Sequence, residues 1–400
     1  MTQTVPLVQA LPTTRGRCPF DPPEALTEIG ARSPISRLVY PDGHEGWLVT
    51  GYAAARAVLA DVRFSSRAEL RRTPIPHAFA KEKPRPAMPG AISAFDPPEH
   101  TRLRKHLTGQ FTVRRMQMLE PRVARITEEH LDRMAAAGSP ADLVRAFALP
   151  IPSLVICELL GVPYEDREVF QKNTSVLFNL KSSVEEITTA MGGITSYMAE
   201  LVDRKRAEPD EHLISGLIET GDLTDEELAT IGMTLLVAGH ETTANMLALG
   251  TFVLLENPEQ LALMRDDPDV VKNAVEELMR YLSVIHVGPG RTAVEDVEVA
   301  GQLIRAGESV AVSVPAANRD PERFPDPDRL DLTRAATGHI GFGHGVHQCL
   351  GQQLARVEMR IALPALFRRF PGLRLAIPAE DVRMRADMGI YGVHELPVAW

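Results

Sequence analysis

Residues 342–351 read Phe-Gly-His-Gly-Val-His-Gln-Cys-Leu-Gly, and an amphipathic segment at 352–370 follows directly. We call this stretch the cysteine loop. Its Cys349 stands at the predicted N-terminus of a helix, where free backbone N–H groups and the helix dipole favour an ionised thiolate. The glycines allow the backbone to turn tightly and to approach a flat ligand. The pattern predicts a sulfur that is kept ionised beside a flat ligand. The alternative is a buried structural thiol, because free cysteines are among the most buried residues in proteins.

A second unusual stretch lies inside the longest predicted helix, residues 224–256. Thr224 and Glu227 form a capping-box pattern at its start, and Asn257-Pro258 ends it. Apolar residues occur on several faces of this segment, which is typical of a helix buried through the middle of a domain. We therefore expect this helix to form the centre of the fold.

The middle of this helix reads Ala-Gly-His-Glu-Thr-Thr at residues 238–243. Gly239 costs about 1 kcal/mol relative to alanine in a helix, and a buried carboxylate at Glu241 is unfavourable unless it is paired. The Thr242 hydroxyl can bond back to the Ala238 carbonyl and loosen the helix. These features predict a groove in which a small ligand lies against the backbone. The alternative is a kinked helix with a satisfied polar cluster.

The composition is that of a globular protein. The chain has 400 residues and no linker or low-complexity segment, so we expect one domain over residues 1–400. Hydrophobic residues make up 44% and charged residues 24%, an ordinary balance for a soluble protein. Neither a membrane anchor of about 18 apolar residues nor a signal peptide is evident, so we expect a cytoplasmic protein. The net charge of −10 argues against binding to nucleic acids.

The order of the sequence patterns indicates the fold class. Helical periodicity dominates residues 99–282, whereas short β-branched runs separated by glycines follow from about residue 287. Residues 70–98 contain seven prolines, which predicts a long irregular loop, and such loops are often functional. The sequence therefore predicts a mainly α fold with a smaller β portion.

Both unusual stretches match a known family. The pattern Phe-x-x-Gly-x-x-x-Cys-x-Gly of the cysteine loop and the stretch 238–243 resemble the cysteine signature and the acid–alcohol motif of the cytochromes P450. The resemblance implies the cytochrome P450 fold, with the long central helix over a haem b (iron protoporphyrin IX) and with Cys349 as the axial ligand of its iron. It also implies that Glu241 and Thr242 are catalytic and handle the protons that dioxygen chemistry requires.

The same resemblance implies further haem contacts, from basic side chains that face the propionates and from residues beside the iron. These are His100, Arg104, Arg291, His347, Phe342, Gly343, Gly351, Ala238 and Gly239. It also implies a buried structural ion cluster, formed by Glu277, Arg280 and Arg323. Taken alone, each of these charged residues would be interpreted as a surface charge.

The activity that the resemblance implies is that of a monooxygenase, which inserts one oxygen atom from O2 into a lipophilic small molecule by hydroxylation or epoxidation. No flavin or dinucleotide fingerprint follows a strand, so we expect electrons from NAD(P)H through a ferredoxin reductase and a ferredoxin. A basic patch is expected to receive this ferredoxin. Its residues are Lys105, Arg114, Arg115, Arg356 and Arg360. We expect a monomer that resembles actinobacterial enzymes of secondary metabolism.

Apolar residues from several segments are expected to contact the substrate, although any protein core would give a similar set. They are Met88, Ile92, Phe178, Leu180, Thr234, Val237, Val287 and Ile390. Two other functions stay open: a peroxide-driven peroxygenase, and a haem gas sensor or carrier without catalysis. The acid–alcohol pair argues against both, because the resemblance implies that neither needs it.

Overall fold

The computed structural model describes residues 5–80, 82 and 84–400. The α-helices of this part are α1 (Glu24–Arg32), α2 (Tyr52–Ala60), α3 (Glu99–Thr108), α4 (Val113–Met118), α5 (Glu120–Ala137), α6 (Pro150–Leu160), α7 (Arg167–Phe178), α8 (Val184–Ala207), α9 (Leu213–Glu219), α10 (Asp225–Leu255), α11 (Pro258–Asp266), α12 (Pro268–Leu282), α13 (Val314–Ala317) and α14 (Gln352–Arg369). The strands are β1 (Leu7–Val8), β2 (Ile35–Val39), β3 (Glu45–Val49), β4 (Phe64–Ser65), β5 (Ala141–Asp142), β6 (Gly290–Ala293), β7 (Val297–Val299), β8 (Gln302–Ile304), β9 (Ser309–Val312), β10 (Arg374–Leu375) and β11 (Pro397–Ala399).

The long helix α10 confirms the prediction for residues 224–256. The Thr224 hydroxyl accepts a hydrogen bond from the Glu227 N–H, and the Glu227 carboxylate accepts one from the Thr224 N–H, so that the capping box is complete. α10 packs against α6, α8 and α14 and is buried along most of its length. Neither α10 nor any other described helix is long and apolar enough to span a membrane. The predicted class, mainly α with a smaller β portion, is confirmed.

The β portion joins distant parts of the chain. The largest sheet has the strand order β1-β2-β3-β9-β6-β4. In this sheet β3 and β9 run parallel, with Trp47 opposite Val310, and β4 and β6 run antiparallel, with Ser65 opposite Thr292. A second sheet, β10-β11-β5, connects the C-terminal strands to the segment before α6. As a result, the residues just after β4 lie beside β6.

The proline-rich segment 70–98 is irregular, as predicted, apart from one 3₁₀ turn at Ile92–Ala94; residues 81 and 83 lie outside the described residues. Gly90 has a φ of +85°, and a Cβ atom there would lie 2.6 Å from the Glu227 carbonyl oxygen. Because only glycine fits this position, the segment can lie directly on the first turn of α10.

The C-terminal hairpin, residues 383–394, is a second irregular element. The Arg385 N–H donates to the Gly392 carbonyl at 2.9 Å, and the His394 N–H donates to the Arg383 carbonyl at 2.8 Å. These bonds hold its two arms together without forming a long regular ladder. The hairpin folds back onto α10 and onto the residues that follow α7.

Candidate active site

The cysteine loop is a closed turn held by its own backbone. The Cys349 N–H donates to the Phe342 carbonyl at 2.8 Å. Gly343 and Gly345 have φ angles of 71° and 74°, in the region that favours glycine. At Gly345 a side chain is also excluded by space, because a Cβ atom would overlap the Leu59 carbonyl oxygen. The loop is therefore locked against the end of α2.

The surroundings of the Cys349 sulfur differ from those of the buried Cys157. Desolvation by neighbouring protein atoms raises the pKa of the Cys349 thiol, whereas the backbone N–H groups of Gly351 and Gln352 and two nearby arginines lower it. The residue as a whole is nevertheless exposed, so it is crowded on some sides and open on another. Cys157 is buried in α6, and desolvation raises its pKa to about 12. An accessible sulfur at the start of a helix is suited to bind a metal as a thiolate.

Four basic side chains that the sequence indicated come together beside the cysteine loop. The rings of His100 and His347 lie 4.2 Å apart, and the Arg104 guanidinium donates to the Gln348 carbonyl at 2.7 Å. Arg291 is buried, and desolvation together with nearby positive charge lowers its pKa to about 10. Burial and the neighbouring cations, Arg291 first, lower the pKa of His347 to about 3. We call these residues, together with Arg71, the cationic cluster.

Arg71 was not predicted from the sequence. The Thr292 hydroxyl donates at 2.8 Å to the carbonyl just before Arg71, which fixes this residue beside Arg291. The next residue, Arg72, instead forms an ion pair with Asp42 and is exposed enough to reach solvent. The sequence does not indicate which arginine of this pair turns inward, because that choice depends on the pairing of β4 with β6.

The charge of the cationic cluster fits a ligand with two carboxylates. Its three arginines carry three positive charges, and Asp96 supplies one negative charge to two of them. Glu69, which also reaches the cluster, is paired with Arg67. Both ring nitrogens of His100 are buried without a hydrogen-bond partner among the described residues. Arg104 also faces the Cys349 sulfur, so that one net positive charge and the two ring nitrogens of His100 are available for the propionates of a haem.

The middle of α10 has the predicted hydrogen bond at Thr242, and Gly239 packs against a neighbouring helix. The Thr242 hydroxyl donates to the Ala238 carbonyl at 2.9 Å, and Ala238 is exposed although α10 is buried on most sides. A Cβ atom at Gly239 would lie 2.8 Å from the Ile156 side chain. The missing side chain of Gly239 therefore makes room for α6, and the predicted contact of Gly239 with a cofactor stays a prediction.

Glu241 is buried and paired, as the sequence required. Arg385 Nη2 lies 3.2 Å from one carboxylate oxygen and 3.3 Å from the other, and the Asn245 side-chain amide donates to the carboxylate at 3.0 Å. His240 points elsewhere, because its Nδ1 lies 2.8 Å from the Leu236 carbonyl oxygen. Asn245 was detectable in principle, since it lies one helical turn after Glu241. Arg385 was not, because it is distant in the chain.

The buried ion cluster forms around Glu277 and Arg280, but Arg323 is not a member. The Arg280 Nε donates to Glu277 at 2.7 Å, and both side chains are fully buried. The Arg334 Nε is the other guanidinium donor to Glu277, at 3.1 Å. Arg323 is exposed and donates to the Thr337 carbonyl at 2.7 Å. The prediction for Arg323 was wrong because the chain after it turns back and inserts Arg334 instead.

The predicted basic patch is partly neutralised by acids of the same face. Arg356 pairs with Glu276 at 2.6 Å, and its guanidinium lies 4.4 Å from the centre of the Phe342 ring. Arg360 lies 3.6 Å from a Glu120 oxygen. These two arginines therefore add little unpaired positive charge to the patch. The exposed cations of the patch are Lys105, Arg114 and Arg115.

Three of the predicted substrate contacts meet at the C-terminal hairpin. The Gly389 N–H donates to the Phe178 carbonyl at 2.7 Å, and the Leu180 N–H donates to the Asp387 carbonyl at 3.0 Å. Ile390 follows on the same hairpin and is buried. The other predicted positions lie in the proline-rich segment, in α10 and after α12. They are Met88, Ile92, Thr234, Val237 and Val287.

Known proteins resemble this chain over almost its whole length. The cytochrome P450 family model matches residues 38–385. The chain is 51% identical to cytochrome P450 105C1 from a Streptomyces species, over 100% of both chains. It is 46% identical to pentalenic acid synthase from Streptomyces avermitilis, over 96% of this chain and 95% of that protein. A crystal structure of CYP105P1 in complex with filipin I superposes with a TM-score of 0.93 at 45% identity and covers 98% of this chain and 99% of its own.

Proposed function

Because this chain belongs to the cytochrome P450 family, whose members are haem enzymes that incorporate oxygen from O2 into a substrate, we propose that it hydroxylates or epoxidises a lipophilic small molecule. The family membership makes it an oxidoreductase that uses a haem, O2 and an organic substrate. We propose haem b as the form of the cofactor. The observation that carries the proposal is the accessible Cys349 sulfur, which accepts from two backbone N–H groups at the start of α14.

The residues of this chain have separable tasks in the proposed reaction. When bound, the haem supplies the iron at which dioxygen is activated, and a thiolate ligand favours cleavage of the O–O bond. Cys349 would hold the iron, and the cationic cluster would hold the propionates through charge-assisted hydrogen bonds. The Glu241 carboxylate would exchange protons with water, and the Thr242 hydroxyl would donate and accept a hydrogen bond beside it. The apolar residues near the C-terminal hairpin would position the substrate and exclude water.

A ferredoxin is the proposed electron donor. Lys105, Arg114 and Arg115 form an exposed cationic surface on helices α3 and α4, and such a surface steers an acidic partner toward it. The chain itself carries no flavin or dinucleotide fingerprint. We also propose that residues 1–400 act as one haem domain and that the protein is a cytoplasmic monomer. Pairing of N-terminal with late strands in the largest sheet supports the single domain.

The substrate is proposed as a class only. One related protein is named for the synthesis of pentalenic acid, and another was crystallised with filipin I. For this chain, the expected substrate side is built from apolar side chains, among them Phe178, Leu180 and Ile390. Such a surface favours a lipophilic organic molecule, and secondary metabolism is the context that its Streptomyces relatives support.

Spectroscopy and turnover test the proposal together. The reduced holoprotein is expected to give the carbon-monoxide difference spectrum of a thiolate-ligated haem, and lipophilic compounds that shift its main absorption band are candidate substrates. Product should form with NAD(P)H, ferredoxin reductase and ferredoxin. Faster product formation with hydrogen peroxide would support the peroxygenase alternative. Binding of carbon monoxide without oxidation of any spectrally bound compound, with either oxidant, would support the sensor or carrier.

Charge reversal tests the ferredoxin surface separately. Replacing both Arg114 and Arg115 by glutamate should slow electron transfer from ferredoxin at low salt and have less effect at high salt, because exposed charges are screened over about 10 Å at 0.1 M salt. Rapid-mixing reduction of the haem measures this rate. An unchanged rate at both salt concentrations would exclude this surface as the docking site.

A further inference from the structure

The C-terminal hairpin contacts both the buried acid of α10 and the expected substrate residues. Near its start, Arg385 lies 3.2 Å and 3.3 Å from the two oxygens of Glu241. At its tip, backbone hydrogen bonds join the hairpin to Phe178 and Leu180. One element of about a dozen residues therefore links two parts of the site that lie far apart in the sequence.

The ion pair between Arg385 and Glu241 is shielded from water. The exposed fractions of the two side chains are 12% and 5%. Arg385 Nε is buried without a hydrogen-bond partner among the described residues. The positive charge of this guanidinium is therefore compensated by Glu241. Removing one partner of a buried pair leaves the other charge uncompensated. The orientation of the carboxylate is therefore sensitive to where the hairpin lies.

Close packing sets the distance between the hairpin and α10. A Cβ atom at Gly392 would overlap Asn245 Oδ1, so the two elements touch where Asn245 also donates to Glu241. The bond from the Arg385 N–H to the Gly392 carbonyl couples this contact to the arginine. A shift of the hairpin would consequently change both donors of the carboxylate at once.

We propose that Arg385 is a positioning residue that holds the Glu241 carboxylate, and that a substrate seated against the C-terminal hairpin changes this hold, so that proton delivery depends on substrate binding. The inference deepens the proposed function and rests on it. A carboxylate held by two donors is not free to turn and pass on a proton. A ligand that moves the tip of the hairpin, where it is bonded to Phe178 and Leu180, would also move Arg385, because both lie on the same element. That movement would loosen the hold on the carboxylate.

The predicted consequence concerns the fate of the electrons. A coupled turnover takes up one substrate molecule, O2, two ferredoxin electrons and two protons and releases one oxygenated product and one water molecule. An uncoupled turnover passes the same electrons and protons to O2 and releases hydrogen peroxide. If Arg385 makes proton delivery depend on substrate, its removal should increase peroxide release and NAD(P)H oxidation in the absence of substrate.

The test compares Arg385→Gln with Arg383→Gln, an exposed arginine on the same hairpin that serves as the matched control. We expect Arg385→Gln to raise NAD(P)H oxidation and peroxide release several-fold in the absence of substrate, and so to lower product per NAD(P)H at subsaturating substrate, with little change in haem content or carbon-monoxide spectrum. Arg383→Gln should behave as the parent. If Arg385→Gln is not obtained folded, Arg385→Lys keeps the charge on a shorter and more flexible side chain, and it should give an intermediate rate of peroxide release without substrate.

A double-mutant cycle with Glu241→Gln decides whether Arg385 acts through the acid. The double variant should lose no more coupling than Glu241→Gln alone. Additive losses, or an Arg385→Gln variant as coupled as Arg383→Gln, would overturn the inference. A fully coupled Glu241→Gln variant would instead remove the acid role from the proposed function itself, and this inference with it.

Discussion

The cysteine loop and the C-terminal hairpin each hold one functional group, but they do so by different means. Cys349 is held by backbone: its N–H bonds to Phe342, and glycines with positive φ close the turn. Glu241 is held by side chains, namely those of Arg385 and Asn245. A backbone-held group requires particular residue types at fixed spacing, whereas a side-chain-held group requires a complementary partner from any part of the chain.

This difference explains why one side of the site is evident in the sequence and the other is not. Glycine is required wherever the backbone adopts a left-handed turn, so the spacing of glycines records the loop directly. A charge partner such as Arg385 leaves no local pattern, because arginine is common at protein surfaces. Substitutions on each side can test these two kinds of support.

Replacement of Cys349 by histidine should have the largest effect. The thiolate-type carbon-monoxide spectrum should disappear and product formation should fall to background, because the sulfur supplies the electron density for O–O cleavage. Cys18→Ser is the control, since Cys18 lies outside the site. Substrate oxidation by the Cys349→His holoprotein at the parent's rate would contradict the assignment of the ligand.

The buried ion cluster should be the next most sensitive feature. Glu277→Gln leaves Arg280 buried with an uncompensated charge, which should cost about 3–5 kcal/mol of unfolding free energy. Arg323→Gln should cost less than about 1 kcal/mol, because that side chain is exposed and bonds one carbonyl. Chemical denaturation of the two holoproteins measures both values. Equal losses would mean that Arg323 supports the cluster after all.

The two neighbouring arginines of the proline-rich segment should differ in their effect on the cofactor. Arg71→Gln would remove the proposed charge-assisted contact to a propionate and should speed haem loss roughly tenfold or more. Arg72→Gln should leave the rate unchanged, because Arg72 pairs with Asp42. Transfer of haem to excess apomyoglobin measures the rates. Indistinguishable rates for the two variants would remove Arg71 from the cationic cluster.

The contact between the hairpin and α10 should affect stability less than the buried ion cluster does. Gly392→Ala places a Cβ atom against Asn245 and should destabilise the protein by about 1–3 kcal/mol through overpacking. Gly372→Ala is the matched control, because a Cβ atom at Gly372 would meet no neighbouring atom within 4 Å. Thermal and chemical denaturation report the difference. A Gly392→Ala variant as stable as Gly372→Ala would show that the hairpin does not press on α10.

Local features of this molecule were predicted correctly from the sequence. The capping box and the end of α10, the bond from Thr242 to Ala238, and the position of Cys349 before α14 all appear in the structure. Each depends on residues within a few positions of one another, where helical periodicity, capping and glycine requirements act. The same is true of the mainly α class, which follows from summing such local patterns.

Contacts between distant segments account for what the sequence did not reveal. Arg334 replaces Arg323 at Glu277, and Arg71 rather than Arg72 turns inward. Arg385, more than a hundred residues after Glu241, completes the pairing of the buried acid. Residue types and their spacing were enough to predict the long helix α10, the turn closed by glycines and the position of Cys349 at the end of that turn. Which charges meet depended on the folded chain alone, because the energy of an ion pair is set by distance in space and not by spacing along the chain.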